Sequence, residues 1–187
     1  MICQFFPNNL IPFTTTILLI GTVGCNQASQ ATYSVKTVSD GDTITVVDNT
    51  GKEIKVRFAC VDAPEVPHTS AERKSRKLVD KKQFEWGSKA QERLQELVKQ
   101  GGGNVKLTIT DTDQYGRKIS EVRLPDGTFI QEVLLKEGLA QVYQPYLKNC
   151  PSESIVTQAE AMAKHKSVGV WSDPKYIPAW EWRHGNN

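Results

Sequence analysis

The sequence contains few of the residue patterns that mark common enzyme classes. Its three histidines, His68, His165 and His184, are too scattered along the chain to predict a zinc site. It has no phosphate-binding G-x-x-x-x-G-K-[ST] loop, no G-x-S-x-G nucleophile motif and no dinucleotide-binding fingerprint. We also find no internal repeat. These absences argue against a zinc enzyme, a P-loop nucleotide hydrolase, a serine hydrolase of the α/β class and a dinucleotide-dependent enzyme.

Charge is missing from the first 24 residues, which contain no Asp, Glu, Lys or Arg. Within them, the apolar stretch at residues 10–20 is interrupted by Pro12 and three threonines, and it is too short to span a bilayer. Such a stretch is typical of a signal peptide, although the usual basic residues before it are absent. We therefore expect residues 1–31 to be a leader with a short linker, and the protein to be exported.

Two cleavage sites fit this leader. Residues 22–25, T-V-G-C, resemble a bacterial lipobox with Thr22 in place of the usual leucine, and cleavage there would make a lipidated Cys25 the mature N-terminus. Residues 29–31, S-Q-A, fit ordinary signal peptidase, which would remove Cys25. The protein would be a membrane-anchored lipoprotein in the first case and secreted or periplasmic in the second. An N-terminal extension without a targeting role is a further alternative.

The remaining composition is that of an ordinary globular protein. Charged residues make up 24% of the 187 residues and hydrophobic residues 39%, which argues against a disordered or membrane-spanning chain. The formal charge of +2 is too small to identify a partner, so the distribution of Lys and Arg matters more. We expect one domain at residues 32–172 and a Trp- and Pro-containing tail at residues 173–187 that packs on it.

Export would leave two of the four cysteines, Cys60 and Cys150, in the folded domain. An even pair of cysteines in an oxidising compartment predicts a disulfide. Two separate buried thiols are the alternative, because the sequence does not give the distance between their Cα atoms.

The pattern of apolar residues predicts five strands. They are rich in Val, Ile and Thr and lie at residues 33–38, 42–47, 53–61, 105–110 and 118–124. Turn residues separate the first three, which predicts a meander instead of a βαβ unit. The polar residues 66–82 are expected to form a long exposed loop.

Three helices are predicted from apolar residues at helical spacing. The first contains Trp86 and ends at Gly101, and the second covers residues 130–137. The last has four apolar residues on its expected buried face, Ile155, Ala159, Met162 and Ala163. Together the elements predict a small α+β domain, and both a five-stranded Greek-key barrel and a sheet-plus-helices sandwich fit it.

Two acidic clusters lie at strand boundaries in the first half of the chain. They are D-G-D-T at residues 40–43 and D-A-P-E at residues 62–65. Hard cations such as Ca²⁺ take oxygen ligands from carboxylates and backbone carbonyls, so two such turns placed side by side could form a cation site. Taken alone, D-G-D-T is more typical of a simple turn than of a cation site, because Asp-Gly is a common turn dipeptide.

Two arginines stand close to these clusters or to an aromatic turn. Arg57 lies on the strand that leads into Asp62, and Arg117 ends the turn D-Q-Y-G-R. The planar guanidinium group donates paired hydrogen bonds and keeps its charge, which suits it to binding phosphate.

The motifs D-G-D-T, V-R-F-x-x-V-D-A-P-E, D-x-Y-G-R, E-G-L-A-x-V-Y and G-V-W occur in this order between residues 33 and 171. Their joint order resembles the staphylococcal nuclease (thermonuclease) family. The resemblance implies an OB-fold five-stranded Greek-key barrel with three α-helices, which decides between barrel and sandwich. It also implies an enzyme that hydrolyses DNA and RNA, with single strands preferred, to 3′-phosphate ends. We expect it to act as a monomer.

By motif position, the resemblance implies a site for one Ca²⁺. Asp42 and Asp62 match its carboxylate ligands, and the backbone carbonyl of Ala63 matches a third protein oxygen. Asp40 matches an outer-shell acid. Glu65 matches the proposed general base for the attacking water, and it would also touch the metal through water.

The resemblance also implies how the substrate is held. Arg57 and Arg117 match the pair of arginines that clamps the phosphate, and Tyr115 and Tyr146 match positions that contact the nucleotide. Half-buried structural tyrosines are the alternative for the last two. Glutamines stand at residues 114 and 144, where the best-studied member has Lys and Tyr, and this puts terminal-phosphate recognition in doubt.

A basic cluster follows Glu65 in a segment longer than that of the type member of the family. It contains Arg73, Lys74, Arg76, Lys77, Lys81 and Lys82. The cluster extends the nucleic-acid footprint in one interpretation and is a solvated loop in the other. A non-catalytic OB-fold module that only binds nucleic acid is the alternative function, but the acids, arginines and glutamate that such modules lose are all present here.

Overall fold

A computed structural model describes residues 31–185. Five strands form a closed barrel: β1 Thr32–Val38, β2 Thr43–Val47, β3 Glu53–Phe58, β5 Asn104–Thr112 and β6 Lys118–Arg123. Their order around the barrel is β1-β2-β3-β6-β5, and β5 closes it by pairing with β1. Neighbouring strands are antiparallel except for the parallel pair β3 and β6. The predicted five-stranded barrel with helices is confirmed.

Alternation along the strands builds the interior of the barrel. In β2, Ile44 and Val46 are fully buried while the residues between them are partly exposed, as the period of two in a strand requires. Val56, Val105 and Val122 are also fully buried. Each such side chain stabilises the fold by about 1.5–3 kcal/mol relative to an exposed one.

Helices cover the barrel. The longest is α2, Leu78–Gln100, which buries Ala90, Leu94 and Leu97 on one face. The helices α3, Ile130–Lys136, and α4, Glu153–Lys166, pack against each other. Two short helices, α1 at Ser70–Arg73 and α5 at Ala179–Gly185, add to the three predicted from the sequence. None of the helices within residues 31–185 is both long and apolar enough to cross a membrane.

The third strand ends earlier than predicted. It stops at Phe58, because Cys60 has a φ of 72° and turns the chain away from the barrel. Val61–Asp62 then forms a separate two-residue strand, β4, which pairs with β7, Gln141–Val142. The break therefore places Asp62 outside the barrel wall and next to a segment that arrives about 80 residues later.

The polar segment at residues 66–82 is not the predicted loop. Thr69 and Glu72 cap α1 reciprocally, and α2 begins at Leu78. The T-S-A-E sequence at residues 69–72 is a capping box, so the start of α1 could be found in the sequence.

The predicted buried face of the last helix is partly wrong. Ala159 and Ala163 are buried, but Ile155 and Met162 are 37% and 39% exposed. Val156 and Glu160 take their places, and the Glu160 carboxylate accepts a hydrogen bond from the backbone N–H of Val142 at 2.8 Å. Glu160, which binds the end of β7, is therefore buried on this face instead of an apolar residue.

The Cys60 and Cys150 sulfur atoms are bonded, and the two Cα atoms lie 5.5 Å apart. This disulfide joins the turn after β3 to the end of a 3-10 helix, Gln144–Asn149. The predicted leader, its two cleavage sites and Cys25 lie outside the described residues.

The tail packs on α2. The indole N–H of Trp86 donates to Asp173 at 3.2 Å, and the indole N–H of Trp182 donates to Asp80 at 2.8 Å. Trp182 also meets the ring of Phe84 edge-on, with the ring centroids 5.6 Å apart. Three contacts with side chains of α2 thus hold the tail, including α5, against this helix.

Candidate active site

Two buried carboxylates meet at one arginine. Asp42 immediately precedes β2, and Asp62 lies in β4. Arg57 stands opposite Thr43 in the β2–β3 ladder, so its side chain reaches both: Nη1 donates to Asp42 and Nη2 donates to Asp62. The two acidic turns, 20 residues apart in the sequence, are therefore one cluster in the fold.

Backbone hydrogen bonds fix the acidic turns to each other. Asp42 accepts from the N–H of Ala63 at 2.7 Å through its second carboxylate oxygen. Asp40 accepts from the N–H of Asp42 at 2.9 Å, which shapes the first turn. The bond from the N–H of Ala63 to Asp42 therefore joins the second acidic turn directly to the first.

Helix α2 packs on both turns through residues with small side chains. A Cβ atom on Gly41 would lie 2.6 Å from the Cβ of Ala90 and 2.8 Å from that of Ala63. A Cβ atom on Gly87 would lie 2.0 Å from the carbonyl oxygen of Glu65. Only glycine allows these approaches, so α2 determines where both turns lie.

Gln83, one turn earlier on α2, supports the same place. When its side-chain amide is oriented to satisfy both neighbours, it accepts from the backbone N–H of Glu65 and donates to the carbonyl of Ile177. Its full burial fits this double role. Glu65 is thus held by α2 through its carbonyl and its N–H.

The side chain of Glu65 contacts one arginine and lies near one histidine. Nη1 of Arg183 donates to Oε1 of Glu65, and Nε2 of His68 lies 3.7 Å from Oε2. Burial raises the pKa of Glu65, the charge of Asp42 raises it further, and Arg183 opposes the shift. A carboxylate with a raised pKa is a better proton acceptor than one with an ordinary pKa.

The electrostatics of the cluster are those of a site that lacks positive charge. Burial raises the pKa of Asp42 to about 7, although Arg57 opposes the shift, and burial also raises the pKa of Asp62. When all are ionised, the four carboxylates of Asp40, Asp42, Asp62 and Glu65 exceed the two guanidinium groups that contact them by two charges. A divalent cation with a preference for oxygen fits this donor set.

The cluster opens onto a cleft with a volume of about 920 Å³. The cleft is lined by all three predicted catalytic residues, Arg57, Glu65 and Arg117, and by both predicted nucleotide contacts, Tyr115 and Tyr146. The two tyrosines are 75% and 60% exposed, so their rings are accessible to a ligand.

Two short-range contacts orient the walls of the cleft. Asp113 accepts from Nε of Arg117 at 2.7 Å, and the guanidinium of Arg117 lies 5.6 Å from the ring of Tyr115. On the other side, Tyr143 stacks on Tyr146 with their ring centroids 5.5 Å apart. The exposed tyrosines are thus each supported by a neighbour that the fold places there.

The basic cluster lies elsewhere. None of its residues lines the cleft. Arg73 donates to the carbonyl of Pro67, and Lys82 pairs with Asp173 at 3.0 Å. Lys77 faces a smaller cavity of about 330 Å³ between α1 and α5. Any footprint that these residues supply lies beyond the cleft, along α1 and the start of α2.

Sequence reasoning missed several residues of the site. Arg183 and His184 line the cleft from α5, and His68 approaches Glu65. Gly87 could have been found, because an isolated glycine inside a helical pattern often marks a close packing contact. Arg183 carries no such signal, since 118 residues separate it from Glu65 in the chain.

A closed barrel with buried carboxylates, arginines and exposed tyrosines around one cleft defines a class, the OB-type barrels that act on nucleic acids. A family model described as staphylococcal nuclease homologue matches residues 55–173. The chain is 31% identical over 147 residues to an uncharacterized endonuclease of Escherichia coli O157:H7, which covers 79% of this chain and 81% of the relative.

Two further relatives agree. One is an uncharacterized endonuclease of Haemophilus influenzae, 33% identical over 171 residues, which is 90% of this chain and 83% of the relative. The other is a micrococcal nuclease of Shigella flexneri, 31% identical over 157 residues, with 80% and 78% covered. The chain therefore belongs to the staphylococcal nuclease homologue family, and it is a nuclease.

Proposed function

We propose that this nuclease hydrolyses phosphodiester bonds of DNA and RNA with the help of one Ca²⁺ and leaves 3′-phosphate ends. The observation that carries the proposal is the meeting of Asp42 and Asp62 at Arg57, directly behind a cleft that Glu65 and Arg117 also line. A binding module without activity has no need of this combination.

Asp42, Asp62 and the carbonyl of Ala63 would hold the ion, with Asp40 and Glu65 near it. The two uncompensated negative charges of the cluster and the raised pKa values of Asp42 and Asp62 support this assignment. When bound, Ca²⁺ supplies positive charge next to the phosphate oxygens, where negative charge grows during the reaction.

Glu65 acts as the general base. It takes a proton from a water molecule, whose oxygen forms a bond to phosphorus while the bond from phosphorus to the 5′ oxygen breaks. Burial raises the pKa of Glu65, which favours the transfer, and Glu65 faces the cleft in which the phosphate would lie. The departing 5′ oxygen takes a proton from water, and the phosphate stays on the 3′ side.

Arg57 and Arg117 donate hydrogen bonds to the non-bridging oxygens of the phosphate. Asp113 holds Nε of Arg117, so the two terminal nitrogens remain for the substrate. Arg57 uses Nη1 and Nη2 on Asp42 and Asp62, which orients its guanidinium group at the inner wall of the cleft. Donors fixed in this way stabilise the growing charge without reorganising during the reaction.

Tyr115 and Tyr146 contact the bases or sugars of the substrate. Both are exposed on the walls of the cleft, and stacking on aromatic rings is tolerant of sequence and selects unpaired strands. We therefore propose single-stranded DNA and RNA as preferred substrates, bound by a monomer. The basic cluster, which runs from Arg73 at the end of α1 to Lys82 in α2, extends this footprint. Replacing Lys74, Arg76 and Lys77 by serine should then flatten the salt dependence of DNA binding.

We further propose that the protein is exported. The uncharged N-terminal segment supports this, and so does the bond between Cys60 and Cys150, because disulfides persist mainly in oxidising compartments. The mass of the mature protein decides between the two cleavage sites. A lipidated Cys25 at its N-terminus indicates an anchored lipoprotein, and a start at Thr32 indicates ordinary secretion. An intact Met1 in protein from the native host would contradict export.

A cleavage assay tests the central proposal. The purified protein is incubated with a 5′-labelled single-stranded oligonucleotide in CaCl₂ or in a chelator, and the product ends are treated with a 3′-phosphatase. We expect cleavage in CaCl₂ alone and products whose mobility shifts on phosphatase treatment. Glu65→Gln should lower kcat by about 10²–10⁴-fold. Glu92→Gln, an exposed glutamate of α2, is the matched control and should change nothing. Equal rates in CaCl₂ and chelator would remove the metal from the mechanism.

A further inference from the structure

Helix α5 brings a third arginine into the acidic cluster. Nη2 of Arg183 donates to both carboxylate oxygens of Asp62, at 3.0 and 2.9 Å, and Nη1 donates to Glu65. Arg183 lies beyond residues 55–173, the stretch that matches the family model. The contact is therefore made by the part of the chain that follows the matched domain.

Two tryptophans of α5 hold this arginine in place. Trp182 is anchored by its hydrogen bond to Asp80 and its edge contact with Phe84, both on α2. Trp180 lies against Tyr143, with ring centroids 6.2 Å apart. Because the residue before Arg183 is fixed on α2, its guanidinium does not depend on a loose chain end to reach Asp62.

The contacts of Arg183 use the oxygens that a cation needs. Oδ1 of Asp62 accepts from both Arg57 and Arg183, and Oδ2 accepts from Arg183. One oxygen of Glu65 is occupied in the same way. A divalent cation at Asp62 must therefore share or displace these bonds, and the fixed positive charge of Arg183 repels it.

We propose that Arg183 is a positioning residue that weakens cation binding and so sets the Ca²⁺ concentration at which the enzyme works. It acts through Asp62 and Glu65, and the proposal rests on the proposed function in taking Asp62 as a metal ligand. The C-terminal helix is then an internal competitor of the ion. Weak calcium sites, with dissociation constants of about 10⁻⁴–10⁻³ M, are typical of extracellular modules.

Calorimetric titration of CaCl₂ into the full-length mature protein tests this directly. Arg183→Gln and Arg183→Met both remove the charge, and the second retains an apolar stem. Each should lower the Kd for Ca²⁺ about tenfold or more, because one unit charge is removed at contact distance. Arg183→Lys keeps the charge but loses the paired contact with Asp62 and Glu65, so its Kd should lie between those of the unchanged protein and the neutral variants. Lys52→Gln removes one charge in the turn at the other end of β2 and should have no effect.

Thermal unfolding gives a second readout that does not depend on activity. In a chelator, Arg183→Gln should unfold at a lower temperature than the unchanged protein, because Asp62 and Glu65 lose a partner. In saturating CaCl₂ the difference should shrink or reverse, since tighter binding of the ion stabilises the variant more. A purely structural arginine would lower the Tm equally in both conditions.

The outcomes separate this inference from the proposed function. Asp62→Asn should abolish calcium binding in any case. If it does, and both neutral variants bind Ca²⁺ with an unchanged or higher Kd, Arg183 does not compete and the inference is overturned, while the proposed function stands. If the unchanged protein and all variants bind no Ca²⁺, both are overturned.

Discussion

Replacing Gly87 by alanine should damage catalysis more than stability. The new Cβ atom would lie 2.0 Å from the carbonyl oxygen and 2.4 Å from the carbonyl carbon of Glu65, where uncompressed contacts need about 3.5 Å or more. The backbone of Glu65 would therefore move by about 1 Å or more, and a misplacement of this size in a catalytic group lowers the rate by about 100-fold. Since this backbone belongs to the proposed general base, the loss should appear in kcat.

The effect on stability is a difference of two terms. Overpacking in a buried contact costs about 1–3 kcal/mol. Alanine in place of glycine inside a helix returns about 1 kcal/mol, because glycine has the lower helix propensity. We therefore expect Gly87→Ala to lower the free energy of unfolding by no more than about 2 kcal/mol.

Initial rates on a single-stranded oligonucleotide, together with denaturant unfolding in a chelator, measure both quantities. Ser88→Ala changes the next residue of α2, which lies off the contact, and serves as the control. If Gly87→Ala folds and retains kcat within threefold of the unchanged protein, α2 does not position Glu65 in the way described.

Four further predictions concern the site and the disulfide. Burial raises the pKa of Asp42 to about 7, well above its unfolded value of 3.8. Between these pH values the native state therefore binds one more proton than the unfolded state. Asp42 should thus make the metal-free protein more stable as the pH falls from about 7 to about 4. The same group should release protons when Ca²⁺ binds near pH 7. A calorimetric binding enthalpy that does not depend on the buffer would contradict this. Arg117→Lys should lower kcat about 10²–10³-fold. Asp113→Asn only loosens the orientation of Arg117 and should lower kcat less. Steady-state rates at saturating substrate compare the two variants. The disulfide joins cysteines that are 90 residues apart. Replacing both, with Cys60→Ser and Cys150→Ser, should lower the free energy of unfolding by about 2–5 kcal/mol. A reductant should lower the free energy of unfolding of the unchanged protein by a similar amount.

Local patterns predicted the five strands because these alternate with a period of two and their turns carry Gly, Asp and Asn. The family resemblance, and not these patterns, distinguished a barrel from a sandwich. The motif around Asp62 was recognisable for a similar reason, since Val56-Arg57-Phe58 and the D-A-P-E turn follow one another directly. The end of β3 was misplaced because the left-handed conformation of Cys60, a non-glycine residue, has no mark in the sequence.

Contacts between distant parts of the chain were beyond sequence reasoning. The Trp residues of the tail suggested packing, but nothing near Arg183 indicates that its target is Asp62, 121 residues earlier. The last helix shows the same limit, because Ile155 was predicted to be buried but is exposed. Glu160 is buried on this helix and accepts a hydrogen bond from the end of a strand, a contact that periodicity does not reveal.

Helix α2 touches the first acidic turn through Gly41 and Ala90 and the second through Gly87 and Glu65. Because one rigid element carries both turns, thermal tilting or sliding of the helix moves them together and leaves the separation between them nearly constant. We therefore expect the distances between the carboxylates to vary less than the position of either turn relative to the barrel. In a site with each acid on its own flexible loop, the separation between the acids would change whenever one loop moved.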